Sequence, residues 1–186
     1  EFIVGRAEAE IDEKRKEKVA YYCNMDKDHV ISNPDCDTIY ELPLVFYEQN
    51  FDKLVLDELH LPIRRSNLTA WRDLVKRIKT KKRKKITIAI IAKYIATGAY
   101  ELKDSYTSLI ESLSFAAWQQ KTELELVFVH AEQLESNNEK ALSQLHQADG
   151  IIVPIGWGGR GVEGKIAAIR YAREKKVPFL GLCYGM

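Results

Sequence analysis

From residue 86 onward, short β-branched apolar runs alternate with amphipathic stretches, and no other feature of the chain limits its fold as strongly. The runs at 86–92, 124–130, 151–154 and 177–182 predict strands. Residues 102–119, 138–147 and 162–175 carry apolar side chains at three- and four-residue intervals and predict helices. A parallel sheet covered on both faces, the doubly wound α/β fold, satisfies such an alternation. Ligands of these sheets gather at the carboxyl ends of the strands. Chemistry is therefore expected just after Ile91, His130, Pro154 and Leu182.

The region before residue 76 is written differently. Residues 35–50, 51–60 and 67–78 predict short helices, with Leu42, Val45, Phe46, Leu54, Leu56 and Leu59 facing one core. Residues 18–23 predict a strand, followed by a polar turn and the apolar pair Val30 and Ile31. With little sheet of its own, this region is expected to complete a larger domain whose earlier part lies outside the chain. Between the two regions, residues 76–85 hold eight of the 28 Lys and Arg residues, leaving the remainder with seven more acidic than basic groups. No aromatic residue is interleaved with that run, so it reads as a solvated linker rather than a nucleic-acid surface. The division expected is 1–75, linker 76–85, and 86–186.

Whole classes of protein are excluded at this point. The apolar runs fall far short of the ~20 residues that cross a bilayer. Nothing near Glu1 resembles a charged head followed by an apolar leader core, so a cytoplasmic location is expected. Cys23, Cys36 and Cys183 are odd in number and widely spaced, which argues against a disulfide framework or a structural zinc site.

The chemistry concentrates at two strand ends. In Gly181-Leu182-Cys183-Tyr184-Gly185-Met186, a nucleophile with glycine two positions to either side follows a buried run, the pattern of a nucleophile elbow with Cys for Ser. The alternative for Cys183 is a small buried core residue. At 154–161, Gly156, Gly158 and Gly161 match G-x-G-x-x-G, but two strand–helix units precede them and no carboxylate closes the next strand, so a dinucleotide site is rejected. The loop serves better as exposed amides able to stabilise an oxyanion beside the cysteine, against the plainer reading of a ligand-free turn. His130 reads as a hydrogen-bonded strand-edge residue, Trp71 and Trp118 as core, and Arg160 and Glu163 as supports of the loop and the helix that follows.

Together the two junctions resemble a known family. The segments Arg160-Gly161-Val162-Glu163-Gly164-Lys165, Ala172-Arg173-Glu174 and Pro178-Phe179-Leu180-Gly181-Leu182-Cys183-Tyr184-Gly185-Met186 closely resemble the front half of the glutaminase domain of the CTP synthases. Ala92-Lys93-Tyr94 and the stretch from Asp104-Ser105-Tyr106 to Glu111-Ser112-Leu113 resemble that family's G-K-Y and D-A-Y-x-S-x-x-E-A-L segments. Lys18-Val19-Ala20-Tyr21-Tyr22-Cys23-Asn24-Met25, Val30-Ile31-Ser32, Asp35, Asp37, Ile39, Tyr40 and Pro43 are similar to the end of its synthetase domain.

The resemblance implies a mainly helical end of a P-loop-like synthetase (amidoligase) domain followed by the first half of a flavodoxin-like class I glutamine amidotransferase domain. The activity it implies is ATP-dependent amination of UTP to CTP with ammonia released from glutamine. Carried over, Cys183 is the nucleophile, the amides of Gly156 and Tyr184 form an oxyanion hole, and Tyr184, Gly185 and Met186 border the glutamine. Lys18 contacts UTP or CTP, and Pro34, Asp35 and Cys36 meet ATP. ATP with Mg²⁺, GTP as an allosteric activator, and a homotetramer built through the synthetase domain are implied as well, with no nucleic-acid or membrane partner. The magnesium ligands, the phosphate-binding loop and the His and Glu that deprotonate the cysteine are expected outside these 186 residues, so the chain is expected to be an inactive fragment. It departs from the family pattern at Ile155 and Ala92, where Gly is usual, and at Trp157, Pro34 and Tyr184, and by a longer link between Tyr94 and Asp104. A β-branched residue at 155 does not readily adopt positive φ, so a different loop shape is expected there. The readings set against this one are another class I glutaminase and a non-catalytic amidotransferase-like subunit or scaffold.

Overall fold

The computed structural model describes residues 1–63, 66–80, 84–93, 96–97, 100–101 and 103–186. Lys81, Lys82 and Arg83 of the basic run, Tyr94, and the expected helix start at Leu102 lie outside the described residues. The chain forms two compact units, Glu1–Lys79 and Thr80–Met186.

In the first unit, strand β1 (Ile3–Ala7) pairs in parallel with β2 (Val30–Pro34), Ile3 opposite Val30 and Ala7 opposite Pro34. Parallel neighbours need a crossover, and helix α1 (Glu13–Cys23) supplies it. The expected strand at 18–23 is thus a correction: those residues are helical. Asp12 caps the helix by accepting the N–H of Arg15 at 2.8 Å, and Asn24 ends it in the left-handed region at φ 49°. The β-prone Tyr21 and Tyr22 lie 82% and 75% exposed, so no packing rewards an extended conformation for them. Helices α2 (Leu42–Glu48), α3 (Phe51–Glu58) and α4 (Thr69–Lys79) follow. Leu59 falls just past the end of α3 and is exposed rather than in the core. Ala20, Val30, Ile31 and Val75 are buried. So is Ser32, whose backbone N–H and C=O both bond the side-chain amide of Gln49, at 2.7 and 2.8 Å.

The second unit opens with β3 (Lys84–Ala92), so the basic run closes α4 at one end and begins a strand at the other. A short antiparallel pair, β4 (Ala96–Thr97) and β5 (Tyr100–Glu101), leads through a 3₁₀ turn (Lys103–Tyr106) to α5 (Thr107–Gln119). Then come β6 (Thr122–His130), α6 (Ala131–Glu135), α7 (Glu139–His146), β7 (Gly150–Val153), α8 (Val162–Lys175) and β8 (Phe179–Gly181). The four long-range strands form one parallel sheet in the order β6-β3-β7-β8. Strand β3 is buried on both faces. Ala89 and Ile91 join a cluster with Leu134, Leu145, Ile151, Val153, Ala168 and Ala172 from the α6, α7 and α8 side. Ile90 and Ala92 pack with Tyr106, Leu109, Ile110 and Leu113 on the α5 side. Helices thus cover opposite faces, and this unit is a doubly wound parallel α/β sheet. Trp71 and Trp118, expected in a core, are half-buried; the Trp71 Nε1–H donates to the Tyr40 carbonyl at 2.8 Å.

Candidate active site at the carboxyl edge of the sheet

The chain runs from β3 outward to β6, then returns across β3 to β7, so the order reverses between β3 and β7. Side chains and loops at the carboxyl ends of those strands face the crevice where such sheets bind ligands. Lys93 follows β3 there, the 154–161 loop follows β7, and the turn carrying Cys183 follows the neighbouring β8.

Cys183 is exposed, so it is not the core thiol of the alternative reading. Its φ is 55°, a conformation that costs a non-glycine residue about 1–2 kcal/mol. It begins a 3₁₀ turn, Cys183–Gly185, in which Gly185 N–H donates to Leu182 O at 3.0 Å and Met186 N–H to Cys183 O at 3.2 Å. That turn leaves the N–H groups of Cys183 and Tyr184 unused by its own bonds. Leu182 N–H donates to Val153 O at 3.0 Å and docks the turn on the end of β7. Close approach explains both flanking glycines. A β-carbon on Gly185 would lie 1.9 Å from Val153 O, and one on Gly181 2.4 Å from Gly185 O.

The 154–161 loop is gripped from beneath by two buried lysines, 8% and 3% exposed. Lys93 Nζ donates to the carbonyls of Trp157 and Gly158, both at 2.5 Å, while its backbone N–H donates to Tyr106 Oη at 3.0 Å. Lys165 Nζ donates to Pro154 O at 3.0 Å and reaches Gly156 O at 3.5 Å. Burial first, and the charge of Lys93 second, push the Lys165 ammonium below the ordinary lysine range, while the Cys183 sulfur acts in the opposite direction. The loop and the turn also meet through side chains: the Trp157 and Tyr184 rings stand 5.8 Å apart, and Lys165 Nζ is 5.8 Å from the Tyr184 ring centre. Ile155 is not among the non-glycine residues at positive φ; Gly158 and Gly161, at 87° and 74°, take the left-handed positions instead. Arg160 pairs with Glu132 at 2.9 Å and ties the loop to α6.

The structure therefore brings Gly156, Cys183, Tyr184, Gly185 and Met186 to one edge of one sheet. Lys18, Pro34, Asp35 and Cys36 belong to the first unit. Lys18 is exposed on α1, and no hydrogen bond or ion pair joins it to the other three among the described residues. Pro34 ends β2, Asp35 N–H donates to Ala7 O at 3.0 Å, and the Asp35 carboxylate pairs with Arg6 at 2.6 Å. Burial, with Glu41, Asp35 and Asp37 nearby, pushes the Cys36 thiol up. Sequence reasoning gave no role to Lys93 or Lys165. The signal for the second was present: Lys165 shares the buried stripe of α8 with Ala168 and Ala172, a place where a lysine needs partners.

A family model described as "CTP synthase N-terminus" matches residues 1–61, and one described as "Glutamine amidotransferase class-I" matches residues 101–186. The CTP synthase of Shouchella clausii is 44% identical over 184 residues, 99% of this chain and 33% of the relative. The chain belongs to the CTP synthase family. The CTP synthase of Desulfovibrio desulfuricans is likewise 44% identical, over 186 residues that cover 100% of this chain and 32% of that protein. The chain thus spans about one third of the length of the CTP synthases it matches. Among solved structures, the "Trypanosoma brucei CTPS - glutaminase domain with bound acivicin" is 34% identical, with a TM-score of 0.48, over 54% of this chain and 37% of that one. No helix among the described residues is long and apolar enough to cross a membrane.

Proposed function

We propose that the protein carrying this chain makes CTP from UTP, and that its second unit supplies the ammonia. The observation that carries this reading is the turn at Cys183, an exposed thiol held at positive φ on the carboxyl edge of the sheet, beside a glycine-rich loop. The Cys183 sulfur attacks the side-chain amide carbon of glutamine, the carbonyl oxygen takes up negative charge, and ammonia leaves as a glutamyl thioester forms. Water then hydrolyses the thioester and frees the thiol. Amides of Gly156 and Tyr184 are the proposed donors to the oxyanion, and Tyr184 to Met186 border the substrate. In the synthetase part, ATP phosphorylates the uracil 4-oxygen and ammonia displaces the phosphate. Lys18 is the proposed contact to the pyrimidine nucleotide, and Pro34, Asp35 and Cys36 the segment that meets ATP. ATP acts with magnesium in this reading; among the described residues no three His, Cys, Asp or Glu side chains converge. GTP activation, a homotetramer built through the synthetase part and a cytoplasmic location belong to the same reading, as do the division into 1–75, 76–85 and 86–186 and the inactivity of this stretch on its own.

The test is CTP formation by the intact enzyme from UTP, ATP and magnesium, with glutamine or with ammonium, for wild type and Cys183→Ala. The variant is expected to lose glutamine-driven synthesis and keep ammonia-driven synthesis. No CTP from either nitrogen source in wild type would overturn the assignment.

A further inference from the structure

Four carbonyls of the loop beside Cys183 point at two buried ammonium groups. Lys165 holds Pro154 O and Gly156 O, and Lys93 holds Trp157 O and Gly158 O. A trans peptide is planar, with its C=O and the next residue's N–H directed to opposite sides. Fixing a carbonyl inward therefore fixes the following amide outward. By that geometry the N–H groups of Ile155, Trp157, Gly158 and Gly159 are turned away from the lysines. A short loop with consecutive amides on one side is an anion-binding surface. This one lies against the elbow, whose Leu182 N–H bonds Val153 O and whose Tyr184 ring meets Trp157. Two like charges are buried together, at a cost in desolvation and repulsion, which carbonyl acceptors offset only while the loop keeps this shape. Lysine placement and loop shape thus stabilise each other.

We infer that Lys93 and Lys165 are positioning residues of the glutaminase centre: by holding the carbonyls of Pro154, Gly156, Trp157 and Gly158 they fix the peptides on both sides of the Gly156 N–H, the proposed oxyanion donor, and so its place beside Cys183. The inference rests on the reading of Cys183 as the glutaminase nucleophile. Neither lysine touches substrate in this account. Neither is a general base. Each acts through the backbone it grips.

The experiment uses the intact enzyme with Lys93→Met, Lys165→Met, Lys93→Arg and Cys183→Ala. Methionine keeps most of the apolar stem and removes the donors. Both methionine variants are expected to lower kcat for glutamine hydrolysis by about tenfold or more, less than the full loss of an oxyanion donor, with KM for glutamine changed less than about threefold. Ammonia-driven CTP synthesis, which forms no oxyanion at Cys183, should keep its wild-type rate. Lys93→Arg, which restores a charged donor at the more accessible position, should recover most of the kcat. If the methionine variants hydrolyse glutamine at the wild-type rate, the inference is wrong while the glutaminase reading survives. A parallel fall in hydrolysis and ammonia-driven synthesis would make the lysines merely structural and overturn it too. Equal glutamine hydrolysis by wild type and Cys183→Ala would sink the reading of the elbow and the inference with it.

Discussion

At residue scale, the demands on the Cys183 turn are steric before they are chemical. The turn is pressed so closely on β7 that a methyl group at 185 would overlap the Val153 carbonyl, at 1.9 Å. Gly185→Ala is expected to destabilise the second unit by about 1–3 kcal/mol, as overpacking does, and to abolish glutamine hydrolysis by lifting the turn off the sheet. Urea unfolding and a glutaminase assay check the two effects, and an active, fully stable variant would contradict the packing. Thiol chemistry offers a second check. Cys23 is exposed, whereas Cys36 is half-buried and its thiol is pushed up by burial and by Glu41, Asp35 and Asp37. Iodoacetamide at neutral pH should label Cys23 well before Cys36, as read by peptide mass spectrometry. Lys165 gives a pH signature. Its native value lies below the 10.5 of an exposed lysine, so above that native value the unfolded chain binds the extra proton. Stability from this position therefore rises with pH in the window ending near 10.5, and Lys165→Met should remove that rise. Denaturant midpoints measured across alkaline pH decide it.

At the scale of elements, β2 shows how a side chain completes a sheet. Among the described residues its strand neighbour is β1, and Gln49 from the turn after α2 satisfies Ser32 N–H and C=O as an adjoining strand would. Gln49→Leu keeps the volume and leaves two buried backbone groups without partners, so a loss of about 1–3 kcal/mol is expected. A loss below about 0.5 kcal/mol would show that water or another group replaces the amide. The same element exposes a limit of reading sequence by pattern. Val19 to Cys23 look β-prone, yet a parallel β1–β2 pair requires a crossover, and that topological demand overrode local preference. Helix α8, by contrast, follows its predicted bounds of 162–175, because its apolar stripe is flanked by Gly161 and by Lys176 in the left-handed region. The elbow was legible because glycine spacing encodes a backbone clash. Of the two lysines beneath the loop, Lys165 left a trace in the buried stripe of α8, whereas Lys93 left none, because carbonyl partners make no mark in a sequence.

At the scale of the whole molecule, the two units differ in how they hold themselves together. The second carries a strand, β3, paired on both sides and buried on both faces between two apolar clusters. Among the described residues, the first buries Ala20, Val30, Ile31 and Val75 around a two-stranded pair. Two strands alone are marginal in water and depend on what packs against them. Unequal local stability follows, and hydrogen exchange reads it, since amides open with free energies set by the cooperative unit they belong to. The amides of Ile90 and Ile91 are expected to exchange slowest in the chain, at least about tenfold slower than those of Val30 and Ile31. The contrast should persist in Lys93→Met and Lys165→Met, because those side chains hold a loop at the sheet's edge and not the strands themselves. Val30 and Ile31 outlasting the β3 amides would mean that the smaller pair, with Gln49 completing its edge, is the more stable of the two.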